Sequence, residues 1–128
     1  MSSEKTKVLV IEDDNDSLRL IPIYFQHVWD LDEEIEVHTH EWNEKKEGEQ
    51  LDNIPDDISL ITVDGLNGKW KTAVEKLVAK GYSKNQIIIH TAGERIDFIG
   101  EGIEFVAKPT GDSLEKASKA ILSRRKKS

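Results

Sequence analysis

The sequence predicts an α/β domain built on a parallel sheet with helices on both faces. Two observations carry this. Four short, mainly apolar runs, Val8–Ile11, Ile58–Val63, Ile87–Ile89 and Ile103–Ala107, are too short for helices and too continuous for a strand with one wet face. They read as strands buried on both sides. The segments between them carry apolar residues at helical spacing, and strands that alternate with helices imply parallel pairing with crossover helices.

Taken in order, Val8–Ile11 is mostly β-branched and runs straight into Glu12-Asp13-Asp14. A helical pattern follows, with Leu18, Ile21, Phe25 and Val28 on one face, Asn15 or Asp16 at its N-cap, and Pro22 as a kink. Glu34–His40 alternates strictly, with Ile35, Val37 and Thr39 on one side and Glu36, His38 and His40 on the other. That pattern fits an edge strand. Residues 41–53 are polar, anchored by Trp42 and Leu51, and Gly48 weakens any helix there. After Ile58–Val63 come Asp64-Gly65, then a helix with Trp70, Val74, Leu77 and Val78, stopped by Gly81. Ile87–Ile89 ends at His90-Thr91, and residues 93–102 leave room for about two helical turns at most. Ile103–Ala107 ends at Lys108-Pro109. Asp112-Ser113-Leu114-Glu115 has the pattern of a capping box opening a last helix that buries Leu114, Ala117, Ile121 and Leu122.

A chain of 128 residues fits one domain, residues 1–128, with a basic tail at 123–128. A formal net charge of −7 opposes sequence-independent binding to nucleic acid, because phosphates are repelled. The absence of cysteine excludes disulfides, thiol catalysis and Cys-ligated zinc. No run is long enough for a signal peptide or a membrane span, so the expectation is a cytoplasmic protein with no membrane partner.

In a parallel sheet the C-terminal ends of all strands lie along one edge, where ligands of such folds bind. Glu12 and Asp13, Asp64, Thr91 and Lys108 end the apolar strands and are thereby gathered at that edge. Three carboxylates together repel one another unless a cation lies among them. Oxygen donors without Cys or His select a hard ion, Mg²⁺ or Mn²⁺. A carboxylate beside such an ion can act as a nucleophile toward phosphorus. A lysine and a threonine hydroxyl supply the charge neutralisation and positioning that phosphoryl transfer requires. Asp14 and Asp16 read as acids at the start of a helix.

The segments "VLVIEDD", "LITVDG", "IIIHTAG" and "FVAKP", in this order along the whole chain, resemble the receiver domain of two-component response regulators. The resemblance implies a flavodoxin-like (βα)5 fold, doubly wound around a parallel five-stranded sheet of order 2-1-3-4-5, which makes the second strand an edge. It implies Asp64 as phosphoacceptor. Asp13 would be a direct Mg²⁺ ligand, Glu12 a ligand acting mostly through water, and the main-chain carbonyl of Leu66 a further ligand. Thr91 and Lys108 would contact the phosphoryl group, with Thr91 and Phe105 as the switch pair and Ala92 as the small residue that admits the donor. The implied role is self-catalysed phosphorylation in signal transduction, with no turnover activity. The partners would be a histidine kinase or phosphotransfer protein and an unknown output protein, reached without a DNA-binding domain.

The sequence departs from the family pattern in two places. Gly65-Leu66-Asn67-Gly68 is shorter and richer in glycine than the usual loop, and the stretch between Thr91 and Phe105 shortens the fourth helix. That helix belongs to the family's usual dimer face, so the oligomeric state is left open. Leu66 and Gly93 offer no polar side chain to an attacking water, which predicts a long-lived phosphoryl group. Two other readings stay open. One is a degenerate receiver acting as a phosphorylation-independent interaction module. The other is a phosphatase of the haloacid dehalogenase type, for which Asp14-Asn15-Asp16-Ser17 has the motif letters but begins two residues beyond Glu12.

Overall fold

The computed structural model describes residues 6–12, 15–29, 34–42, 57–64, 70–91, 104–107 and 111–126. Its elements follow the alternating order of the sequence: β1 (Thr6–Glu12), α1 (Asn15–Ile23), β2 (Ile35–Glu41), β3 (Leu60–Asp64), α2 (Trp70–Ala79), β4 (Ile87–Thr91), β5 (Glu104–Ala107) and α3 (Gly111–Lys126). The described strands form one sheet of order β2-β1-β3-β4-β5, and every pairing in it is parallel. The α/β class expected from the apolar runs is therefore the class observed. The expected shortened fourth helix, and any helix within residues 43–56, lie outside the described residues.

Alternation along β1 and β3 divides the core into two layers. Leu9, Ile11, Ile61, Val63, Ile87 and Ile89 meet Ala73, Val74 and Leu77 of α2, together with Trp42 and Ile58. On the opposite face Val8, Val10, Leu60, Ile88 and Ile35 meet Ile21 of α1, Phe25 just beyond it, and Leu114, Ile121 and Leu122 of α3. α1 joins β1 to β2, whereas α2 joins β3 to β4 in the other direction along the sheet. Two right-handed crossovers that leave in opposite directions must lie on opposite faces, and these do.

Two helix ends differ from the simple periodic reading. The sequence pattern places Val28 on the buried face, but Val28 is 58% exposed and Trp29 is buried in its place. The cause is a π-helical turn over Tyr24–Val28, closed by the Trp29 N–H donating to the Tyr24 carbonyl at 2.8 Å. Pro22, without an N–H, lies in the last turn of α1 just before it. The wider turn shifts the buried face by one residue, so Trp29 stacks on Tyr24 and meets the edge of Phe25. In α2, Val78 is exposed and Ala73 takes the buried position, because the stripe facing the sheet is Ala73-Val74-Leu77. Gly81 ends α2 as the spacing predicts. Its φ is +109°, its N–H donates to Val78 O at 2.9 Å, and Tyr82 N–H donates to Leu77 O at 3.1 Å. These two bonds are the Schellman arrangement, with Tyr82 packed against the cluster that contains Leu77.

Candidate functional site

The strand order reverses around β1: the chain leaves it toward β2 on one side and returns to β3 on the other. Ligands of open α/β sheets bind outside the strand C-termini at such a reversal. Glu12 ends β1 and Asp64 ends β3. Each lies one step beyond the paired residues Ile11 and Val63, so the two residues sit level on adjacent strands, whose backbones run about 4.8 Å apart. Both follow the alternation of Val8, Val10 and Leu60, which assigns them to the sheet face covered by α1 and α3.

Their surroundings differ. Glu12 is 1% exposed, whereas Asp64 is half-buried. The Glu12 carbonyl accepts the Trp42 N–H at 2.7 Å, so the main-chain ladder between β1 and β2 runs to the end of β1. Bringing a buried carboxylate to the side of a second one is unfavourable unless positive charge or hydrogen bonds compensate. Asp64, the more accessible of the pair, is the one open to an incoming reagent.

The register adds a carboxylate that sequence spacing could not reveal. Glu41, the last residue of β2, pairs with Glu12, so Glu41, Glu12 and Asp64 form a row across three neighbouring strands. His90 is the register partner of Asp64 on β4. Only strand pairing brings Glu41 to this edge, and no local motif marks it. Glu41 is exposed, and among the described residues no group of three or more His, Asp or Glu side chains is disposed to hold a metal.

Of the remaining expected site residues, Thr91 ends β4 and pairs with Ala107 on β5, while Phe105 pairs with Ile89. The backbone thus brings Thr91 to the same C-terminal edge as Glu12 and Asp64, one strand further along. The side chains of Thr91 and Phe105 lie outside the described residues, as do Asp13, Leu66, Ala92 and Lys108. The described donors are two carboxylates at the switch point. Mg²⁺ is commonly held by one or two carboxylates with water completing its shell, so these residue types fit a hard cation. His38, which shares a strand face with His40, pairs through Nε2 with Glu36 on the same strand. No helix of the described residues is long and apolar enough to cross a membrane.

In comparisons with known proteins, no family model matches the chain and no curated protein matches it.

Proposed function

We propose that the chain is a receiver-type phosphoacceptor with a flavodoxin-like (βα)5 fold and a shortened fourth helix. In this reading it takes a phosphoryl group from a phosphohistidine of a kinase or phosphotransfer protein onto Asp64, and so changes a surface read by an output protein in the cytoplasm. The observation that carries the reading is the level juxtaposition of buried Glu12 and half-buried Asp64 across the strand-order reversal. An oxygen of the Asp64 carboxylate attacks phosphorus in line while the donor's P–N bond breaks. The imidazole leaves with that bond's electron pair, and an acyl phosphate forms on Asp64. Bound Mg²⁺ or Mn²⁺ supplies charge neutralisation to the carboxylates and the phosphoryl oxygens. Glu12 and Asp13 would hold the ion, with the Leu66 carbonyl. Lys108 and the Thr91 hydroxyl would contact the phosphoryl oxygens, and Thr91 with Phe105 would pass the change to the surface.

A second reading, an interaction module that works without phosphorylation, is favoured by one observation. Leu20, Ile23, Tyr24 and Val28 form an exposed apolar stripe along α1 and its π turn. Scattered exposed apolar residues are ordinary, but a contiguous stripe on one helix marks a protein-docking surface.

Incubation with acetyl phosphate and Mg²⁺, followed by intact mass, separates these readings. The phosphoacceptor reading expects the mass of one phosphoryl group to be added in wild type, with none in Asp64→Asn and none in the presence of a chelator. An unmodified wild type that is fully folded supports the interaction module. Turnover of a phosphate monoester that survives Asp64→Asn but not Asp14→Asn supports the dehalogenase-type phosphatase.

A further inference from the structure

β2 is the outer strand of the sheet on one side, and its main-chain groups on the far side from β1 face outward. The Glu34 carbonyl accepts from Thr6 N–H at 2.9 Å, and Trp42 N–H donates to the Glu12 carbonyl at 2.7 Å. Even-numbered residues of this segment therefore direct their main-chain groups toward β1, and alternation directs those of Ile35, Val37, Thr39 and Glu41 away from it. Gln26 Nε2 donates to the Ile35 carbonyl at 3.3 Å and covers one end. Among the described residues, no bond reaches the outward groups of Val37 or Thr39. Sheet proteins blunt such an edge with proline, lysine, a bulge or a very short strand. β2 has seven residues, Ile35-Glu36-Val37-His38-Thr39-His40-Glu41, with neither proline nor lysine, and a continuous parallel register to β1 without a bulge.

We propose that this edge pairs antiparallel with β2 of a second copy of the chain, about a two-fold axis at His38. The charge pattern of the strand selects this occupant, because it is complementary to itself when reversed. Centred on His38, Val37 and Thr39 of one copy exchange main-chain hydrogen bonds with Thr39 and Val37 of the other. Glu36 lies opposite His40 of the second copy, twice, and no carboxylate faces another. Sliding the pairing one way puts Glu36 opposite Trp42 and loses both Glu–His pairs. Sliding it the other way also sets Glu36 opposite His38 and Glu34 opposite His40, but sets the Ile35 carbonyl, already engaged by Gln26, against Thr39 next to the axis instead of against Glu41 at the end of the ladder. Opposite charges directly across a strand pair stabilise it, and like charges destabilise it. A two-fold contact of this kind closes on itself, so it stops at a dimer with one sheet running through both copies.

The dimer requires no metal or phosphoryl group, so it stands or falls separately from the chemistry at Asp64. Sedimentation equilibrium of the full chain over a wide concentration range tests it. The expected result is a monomer–dimer equilibrium. Thr39→Pro removes an outward N–H that plays no part in the β1 ladder and weakens the dimer by at least about tenfold, with the circular dichroism spectrum unchanged. Thr39→Val, which keeps the N–H, leaves the equilibrium where it was. Glu36→Lys replaces the carboxylate facing His40 of each second copy with a cation and weakens the dimer without touching the main chain, so it carries the test if the proline variant misfolds. A chain that stays monomeric throughout, or a dimer that Thr39→Pro and Glu36→Lys leave unaltered, overturns the proposal.

Discussion

At the scale of single residues, Glu12 and Asp64 carry the proposed reading; where both are ionised, their repulsion opposes the interactions that each makes within the fold. Two carboxylates on adjacent strand ends repel, and the more deeply buried of them is poorly screened. Asp64→Asn should therefore raise metal-free stability, by on the order of 1 kcal/mol after allowance for the partial exposure of Asp64. Adding Mg²⁺ should raise the thermal midpoint of wild type by mass action and that of the variant much less. Thermal unfolding with and without Mg²⁺ checks both. Equal midpoints for the two proteins in the absence of metal would mean that Glu12 and Asp64 do not repel across the gap. The acidic run at the end of β1 and the Asp64-Gly65 step were legible as strand ends from composition alone. That Glu12 is buried and Asp64 less so was not, because burial depends on tertiary packing that strand-end spacing does not encode. The same limit hid Glu41, which reaches the edge through register and has no motif of its own. A further expectation belongs to this scale. If Leu66 and Gly93 occupy the acceptor-flanking positions that the receiver resemblance implies, neither offers a polar group to orient water, and the phosphorylated protein should persist well beyond seconds in Mg²⁺. A lifetime of seconds, followed by intact mass after removal of the donor, would contradict this.

At the scale of elements, apolar runs located the strands well because burial on both faces leaves little room for polar residues. Helix faces were read less well where the backbone departs from a 3.6-residue period. The π turn at Tyr24–Val28 exchanged Val28 for Trp29, and nothing in a periodic pattern announces a π turn except the nearby proline. Gln86 is a comparable case. Its side chain accepts the Ser83 N–H at 2.9 Å and donates to the Ile58 and Ser59 carbonyls at 3.0 and 3.2 Å, tying the entry of β4 to that of β3. A single glutamine before an apolar run gives no hint of partners nearly thirty residues upstream. The C-terminus of α2, in contrast, was legible because only glycine adopts φ near +109° freely. Gly81→Ala meets no neighbouring atom, so its penalty is conformational alone. It should cost about 1–2 kcal/mol in chemical denaturation with the slope unchanged. An unchanged midpoint would show that the turn relaxes to another conformation.

At the scale of the whole molecule, the parallel order β2-β1-β3-β4-β5 turns scattered strand-end residues into neighbours and creates the reversal on which Glu12 and Asp64 meet. That gathering could be anticipated from strand–helix alternation, because parallel strands share a C-terminal edge. Which carboxylates stand level with each other could not, since a shift of one residue moves a side chain to the other face. The net charge of −7 and the acidic residues at this edge make the local potential negative. The central claim is that Asp64 is the residue that receives phosphorus, and it is tested most directly by mapping the modified position. After reaction with acetyl phosphate and Mg²⁺, borohydride reduction converts an aspartyl phosphate to homoserine, which peptide mass spectrometry locates. The account predicts homoserine at position 64 alone, and only when Mg²⁺ was present. Modification at Asp14 or any other carboxylate, or none in a folded wild-type protein, would contradict it.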